Sequence, residues 1–211
     1  RGNMLGAQLK KVELDSFGRE WIFSDRGVNL ADGSFRFSAN IEYLYTVGGA
    51  LLMASTDGRL FRYDADKKVM LPQKLPGVVS RINAAEKYGK NKLLLATNAG
   101  IVMYNAVRQS VSMLSVQTPA QPSPEVTSVF VDRKLRIWAF TKSSGIVLLS
   151  GKSLSPRWLM ADADTPLHRT SSLLPFVHED SYGTVWTVPT DGTFSYYDEQ
   201  AGQLVPYMLS S

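Results

Sequence analysis

Cysteine is absent from this 211-residue chain, which rules out disulfide staples, thiol nucleophiles and cysteine-held metals and leaves the redox compartment open. Histidine is almost absent too. His168 and His178 stand apart, without the His-x-x-x-His spacing of a metal pair, so no metal centre and no other cofactor is expected. No apolar run approaches the roughly eighteen residues that a membrane helix needs, and this region is expected to make no membrane contact. The net charge of +4 is not gathered into a stripe: the basic residues come as short pairs, Lys10–Lys11, Lys67–Lys68 and Arg133–Lys134. A nucleic-acid partner is therefore not expected. A sustained helical period is missing as well. Arg81 to Lys90 has helical propensity, but its place in the repeat assigns it to a strand.

What is present is that repeat. Asp15-Ser16-Phe17-Gly18-Arg19-Glu20-Trp21 aligns with Asp180-Ser181-Tyr182-Gly183-Thr184-Val185-Trp186, and each reaches a second glycine, Gly27 or Gly192, six residues after its Trp. A third copy, Asp132-Arg133-Lys134-Leu135-Arg136-Ile137-Trp138, keeps the Asp-to-Trp spacing, loses the first glycine and runs on to Gly145. Two weaker copies set Leu52 and Leu94 where Trp stands and end at Gly58 and Gly100. The second glycines are thus 31, 42, 45 and 47 residues apart. Strand-like units at periods in the forties mark a β-propeller. The sequence reads as one propeller region over 1–211, in five units at about 8–38, 39–75, 76–116, 124–161 and 171–209. The short first interval predicts a first unit that is irregular in its outer part.

Each unit divides into four strands. An alternating run such as Val126 to Val131 or Ile41 to Tyr45 comes first, then a tight turn opened by Asp, whose carboxylate can accept backbone hydrogen bonds, and closed by Gly. The second strand carries Trp or Leu. After the second glycine comes a third strand, as in Arg59 to Tyr63, and a vaguer fourth, as in Leu204 to Met208. A single such sheet cannot cover both its faces, so Trp21, Trp138 and Trp186 are expected to pack between neighbouring units. Gln117 to Glu125 and Asp162 to Ser172 are long connections, where binding residues tend to sit.

The runs Val126 to Trp138 and His178 to Asp198 resemble the two-component regulator propeller repeat, whose units follow V-x-S-I-x-x-D-x-x-G-x-I-W-I-G-T-x-x-G-L-x-x-Y-D. The likeness spans nearly the whole chain and is strongest in units one, four and five. It implies the periplasmic input region of a hybrid two-component histidine kinase, of the kind that senses carbohydrate breakdown products in gut Bacteroidetes. It also implies a region with no catalysis of its own. The rival reading is a propeller that serves as a protein–protein interaction scaffold.

Enzyme signatures are lacking. The sialidase Asp box has one residue between Asp and Gly where Asp180-Ser181-Tyr182-Gly183 has two. Glu42, Glu86, Glu125, Glu179 and Asp132 sit on or near first strands, yet nothing pairs two of them as a glycosidase needs, and Asp132 reads as a turn residue. The most ligand-like side chains are Arg133, Lys134, His168 and Arg169, which would suit an acidic oligosaccharide through charge-assisted hydrogen bonds. Ring closure would need a clasp between the terminal units, and only Asn3 to Ala7 remains to form one. An arc of a larger propeller is expected, with two uncovered faces that favour self-association or contact with other units of the same protein.

Overall fold

A computed structural model describes residues 7–118, 121–142, 145–159, 176–188 and 194–207; His168, Arg169, Gly192 and the connection 162–172 lie outside them. Five antiparallel sheets of four strands follow one another in chain order, and the described residues contain no helix. Sheet one holds β1 (Leu9–Leu14), β2 (Glu20–Ser24), β3 (Gly27–Leu30) and β4 (Arg36–Phe37). Sheet two holds β5 (Ile41–Val47), β6 (Ala50–Ser55), β7 (Leu60–Asp64) and β8 (Val69–Gln73). Sheet three is β9 (Ile82–Tyr88), β10 (Lys92–Thr97), β11 (Gly100–Asn105) and β12 (Ser110–Leu114). Sheet four is β13 (Val126–Val131), β14 (Ile137–Thr141), β15 (Ile146–Ser150) and β16 (Ser155–Trp158). Sheet five is β17 (Val177–Glu179), β18 (Val185–Thr187), β19 (Ser195–Asp198) and β20 (Gln203–Pro206). The helix-prone stretch 81–90 is β9, and the irregular outer part of sheet one is the two-residue β4.

Local chemistry makes the hairpins. Asp15 accepts the backbone N–H of Phe17 and of Arg19, both at 2.9 Å, so the turn between β1 and β2 closes on its own carboxylate. Asp132 and Asp180 do the same in sheets four and five. The next hairpin needs glycine at Gly27, where φ is +138° and a Cβ would stand 2.1 Å from the Phe37 carbonyl oxygen. Gly58 sits alike, its φ at +85° and a Cβ there meeting the Ser80 backbone at 2.8 Å. Gly100 and Gly145 occupy the corresponding places in sheets three and four.

The core lies between sheets, not within them. β6, β10 and β14 are buried on both faces, whereas the fourth strands are mostly exposed. Four apolar clusters join sheet one to two, two to three, three to four and four to five. No such cluster joins sheet five to sheet one among the described residues, so the sheets form an open arc. Each sheet therefore has a leading face, turned to the preceding sheet, and a trailing face, turned to the next. The repeated Trp or Leu lies on the trailing face and meets the third strand of the following sheet. Trp21 meets Tyr63 edge-on at 5.0 Å, and Trp138 meets Tyr197 edge-on at 5.1 Å. Leu52 shares a cluster with Tyr104, and Leu94 with Leu149.

The fixed spacing from Asp to Trp has a second cause. The indole N–H of Trp21, Trp138 and Trp186 donates to the carboxylate of Asp15, Asp132 and Asp180 at 2.8, 2.9 and 2.9 Å. The carboxylate that closes the turn thus also satisfies the only polar atom of the buried ring. Trp21 and Trp138 are fully buried. Trp186 differs from the expectation for all three rings: it is only partly buried, no sheet among the described residues lies over it, and it packs instead on Phe194, Tyr196 and Tyr207 of its own sheet.

Candidate functional site at the inner edge of sheets three, four and five

The first strands form the inner edge of the arc, where β9 runs beside both β5 and β13. Side chains tie them together. The phenols of Tyr43 and Tyr45 donate to the carbonyls of Asn83 and Ala85 at 2.6 and 2.7 Å, and the Asn83 amide donates to the Val126 carbonyl at 2.8 Å. Burial, with Glu86 and Glu13 nearby, pushes the Tyr45 phenol up to about 12, so it remains a donor throughout the physiological range. At one end of these strands Glu125 takes Arg81 at 2.6 Å and Lys142 at 3.2 Å.

At the other end a groove of about 510 Å³ opens across three sheets. Phe130, Val131 and Val177, all partly buried, give it an apolar floor. Glu86 and Lys87 reach it from the end of β9, Arg133 and Leu135 from the turn after β13, and His178 and Glu179 from β17. The groove is wide open to solvent and combines carboxylate acceptors with cationic and imidazole groups beside a hydrocarbon surface. Among the described residues no group of three His, Asp or Glu side chains converges to hold a metal ion.

Leu135 is the least ordinary residue here. It stands where the turns of sheets one and five have Gly18 and Gly183, and it takes their left-handed backbone, with φ at +58°. For a branched side chain that conformation costs about 1–2 kcal/mol. Its side chain is nonetheless 48% exposed and lines the groove, while its carbonyl accepts the Tyr88 hydroxyl at 3.2 Å. Lys68, Gln109 and Leu154 take the same backbone conformation in other turns, so what sets Leu135 apart is the groove its side chain lines.

The ligand-like residues read from the sequence are placed differently. Arg133 is at the groove, but its guanidinium donates to the Asp180 carbonyl at 2.8 Å and its backbone N–H to Glu179 at 2.9 Å. Lys134 is not part of the lining; it pairs with Glu199, which also takes Arg136 at 3.2 Å. Both residues thus bind sheet four to sheet five. His168 and Arg169 lie outside the described residues. Of the five carboxylates, Glu86, Glu179 and Asp132 meet at the groove, with Asp132 spent on its turn, whereas Glu42 and Glu125 lie elsewhere. Lys87 was not legible as a site residue, since it belongs to no motif, and Leu135 showed only as the residue that replaces the turn glycine of the third copy.

Two carboxylates outside the groove, Asp15 and Glu125, make acid the weak side of the protein. Burial alone would raise Asp15, but the hydrogen bonds from the Trp21 indole, Arg19 and Phe17 outweigh it and hold the carboxyl below its usual range. Glu125 is lowered likewise, burial being outweighed by Arg81, Lys142 and Asn83. A lowered folded-state value means that the stabilisation is complete above the unfolded-state range of about 4 and is lost as pH falls through the folded-state values. The urea midpoint is expected to be flat above about pH 5 and to fall steadily below about pH 4. A midpoint that rises between pH 5 and pH 3 would contradict the assignment.

No family model matches the sequence, and no curated protein is detectably similar to it in sequence. Similarity appears at the level of structure. The extracellular domain of BT3049 from B. thetaiotaomicron, assigned to a hybrid two component system, superposes with a TM-score of 0.64 at 13% identity over 96% of this chain. The extracellular domain of BT4673 from the same organism gives 0.62 at 17% identity over 97%. The chain spans only 30% and 28% of the length of those two domains. Virginiamycin B lyase from Staphylococcus aureus, in its inactive H270A form with quinupristin, gives 0.64 at 11% identity, over 99% of this chain and 73% of its own. At such identities the likeness concerns the fold.

Proposed function

We propose that this chain belongs to the extracytoplasmic, periplasmic sensing region of a membrane-anchored two-component histidine kinase, and that the inner-edge groove takes a carbohydrate-derived ligand without transforming it. The observation that carries the reading is the groove itself, with Leu135 held in a strained conformation at its rim. A sugar presents hydroxyls to carboxylates and cations and an apolar ring face to a hydrocarbon surface, which is the pairing that Glu86, Lys87, His178 and the Phe130–Val177 floor offer. The resemblance to the two-component regulator repeat and the structural likeness to the BT3049 and BT4673 domains support the same assignment.

Calorimetric titration with a panel of neutral and acidic oligosaccharides tests it. At least one member is expected to bind, and Glu86→Gln with Lys87→Ala is expected to weaken that binding about tenfold or more, the loss of about 1.4 kcal/mol that one or two polar contacts supply. Binding that is unchanged in the double variant would remove the groove, and a panel without any binder would favour the scaffold reading. Leu135→Gly separates function from folding. It is expected to weaken the same ligand while raising stability by up to about 1 kcal/mol, the relieved strain less the entropy of glycine. A destabilised variant in urea denaturation would show that Leu135 is there for packing.

A further inference from the structure

The groove holds a carboxylate that is buried and only half used. Glu179 ends β17, and its side chain is 8% exposed although it lines the groove. Its Oε2 accepts the Arg133 backbone N–H at 2.9 Å, with Arg133 Nε 3.8 Å away. Its Oε1 has no hydrogen-bond partner among the described residues. Solvent still reaches that oxygen, because the one fully sealed side-chain polar atom without a partner among those residues is Nη2 of Arg136. A carboxylate oxygen largely withdrawn from water and left unbonded costs free energy unless a donor comes to it.

The fold does not ask for an acid here. The residue before the turn aspartate is Leu14 in sheet one and Val131 in sheet four. Holding the Arg133 N–H takes one oxygen, which a neutral amide would supply as well. The nearby cations, meanwhile, are committed elsewhere. The Arg133 guanidinium donates to the carbonyls of Asp180 and Ser181 at 2.8 and 3.5 Å, and Lys134 and Arg136 go to Glu199. Asp132 is spent on its own turn. Glu86 gives one oxygen to the Lys87 backbone N–H at 2.9 Å and keeps the other. Beside the His178 imidazole, a ligand therefore meets two carboxylate oxygens, of Glu86 and Glu179, and the ammonium of Lys87.

Taking the groove as the ligand site proposed above, we infer that Glu179 determines its specificity: the ligand meets the free oxygen with hydrogen-bond donors, an ammonium or a pair of hydroxyls, so that amino and neutral sugars are preferred to uronic acids. An ammonium forms a charge-assisted hydrogen bond there, stronger than a hydroxyl can make. A uronate sets a second carboxylate beside Glu179 in a partly desolvated place, where like charges repel and neither finds a donor. The acidic oligosaccharide suggested by the Arg133–Lys134 pair is thereby disfavoured, because those two side chains are consumed between sheets four and five.

Glucosamine, glucose and glucuronate test the assignment, each titrated into isotope-labelled protein at mildly acidic pH, where the amine is protonated and the uronate ionised. Amide shifts of Arg133, Leu135, Val177, His178 and Glu179 report the binding. The expected order of affinity is glucosamine, glucose, glucuronate. Glu179→Gln keeps an acceptor for the Arg133 N–H and turns a donor toward the groove. It is expected to weaken glucosamine about tenfold or more, the worth of one charged hydrogen bond, to weaken glucose less, and to erase the preference for the amine. Hydrogen exchange at the Arg133 amide is expected to stay as slow as in the parent. Glucuronate binding most tightly to the parent, or groove shifts that Glu179→Gln leaves unchanged for all three sugars, would overturn the inference and leave the groove standing. Fast exchange at Arg133 in the variant would overturn it too, since the carboxylate would then be there for the turn. Absence of groove shifts with every one of the sugars would overturn both the inference and the site.

Discussion

Trp138→Ala is expected to lower the stability by about 3–5 kcal/mol, the range for a large aromatic truncated in a packed core. The ring is fully buried, meets Tyr197 edge-on at 5.1 Å across the interface of sheets four and five, and shares a cluster with Phe140, Leu148 and Val185. Truncation therefore opens a cavity between two sheets that are joined by side-chain contacts and not by a strand ladder among the described residues. Trp138→Phe keeps most of the volume and is expected to cost about 1–2 kcal/mol, chiefly the lost indole donor. Trp186→Ala should fall well below Trp138→Ala, since that ring is only partly buried and no sheet among the described residues lies over it. Equal losses for Trp138 and Trp186 in urea denaturation would mean that sheet five is covered as fully as sheet four.

The second large effect belongs to Asp132. Its carboxylate is buried, closes the turn by accepting from Lys134 and Arg136 backbone N–H groups, pairs with the Arg136 guanidinium at 2.6 Å and takes the Trp138 indole at 2.9 Å. Asp132→Ala leaves three N–H donors without their acceptor and the mostly buried Arg136 guanidinium with Glu199 alone, which is expected to cost about 3–5 kcal/mol. Asp132→Asn keeps one acceptor oxygen and should cost less. The two variants would be ranked by chemical denaturation at neutral pH, and an alanine variant as stable as the parent would show that water replaces the carboxylate without penalty.

The repeat was legible because it is a backbone necessity. Glycine at Gly27 and Gly58 and the turn aspartates of sheets one, four and five are required by backbone geometry, so they survive in the sequence as a pattern. The Asp-to-Trp spacing was legible too, though its cause, the carboxylate that serves the turn and the indole at once, appears only with the side chains in place. Arg133 and Lys134 read as ligand-like because their partners, Glu179 and Glu199, are 46 and 65 residues away. The groove is assembled from strand ends of three units and leaves no local motif. One signal was available: the third copy loses its first glycine, and the residue that stands there, Leu135, keeps the glycine's backbone conformation at the rim of the groove.

The central claim is that recognition takes place at the inner edge, where sheets three, four and five meet. Amide chemical-shift mapping of the labelled protein during titration with the oligosaccharide that binds most tightly is its most direct test. The account predicts that the largest shifts fall on Glu86, Lys87, Leu135, His178 and Glu179, with the outer strands β8, β12 and β16 unmoved. Shifts confined to those outer strands, or to the turn at Gly18 in sheet one, would contradict it.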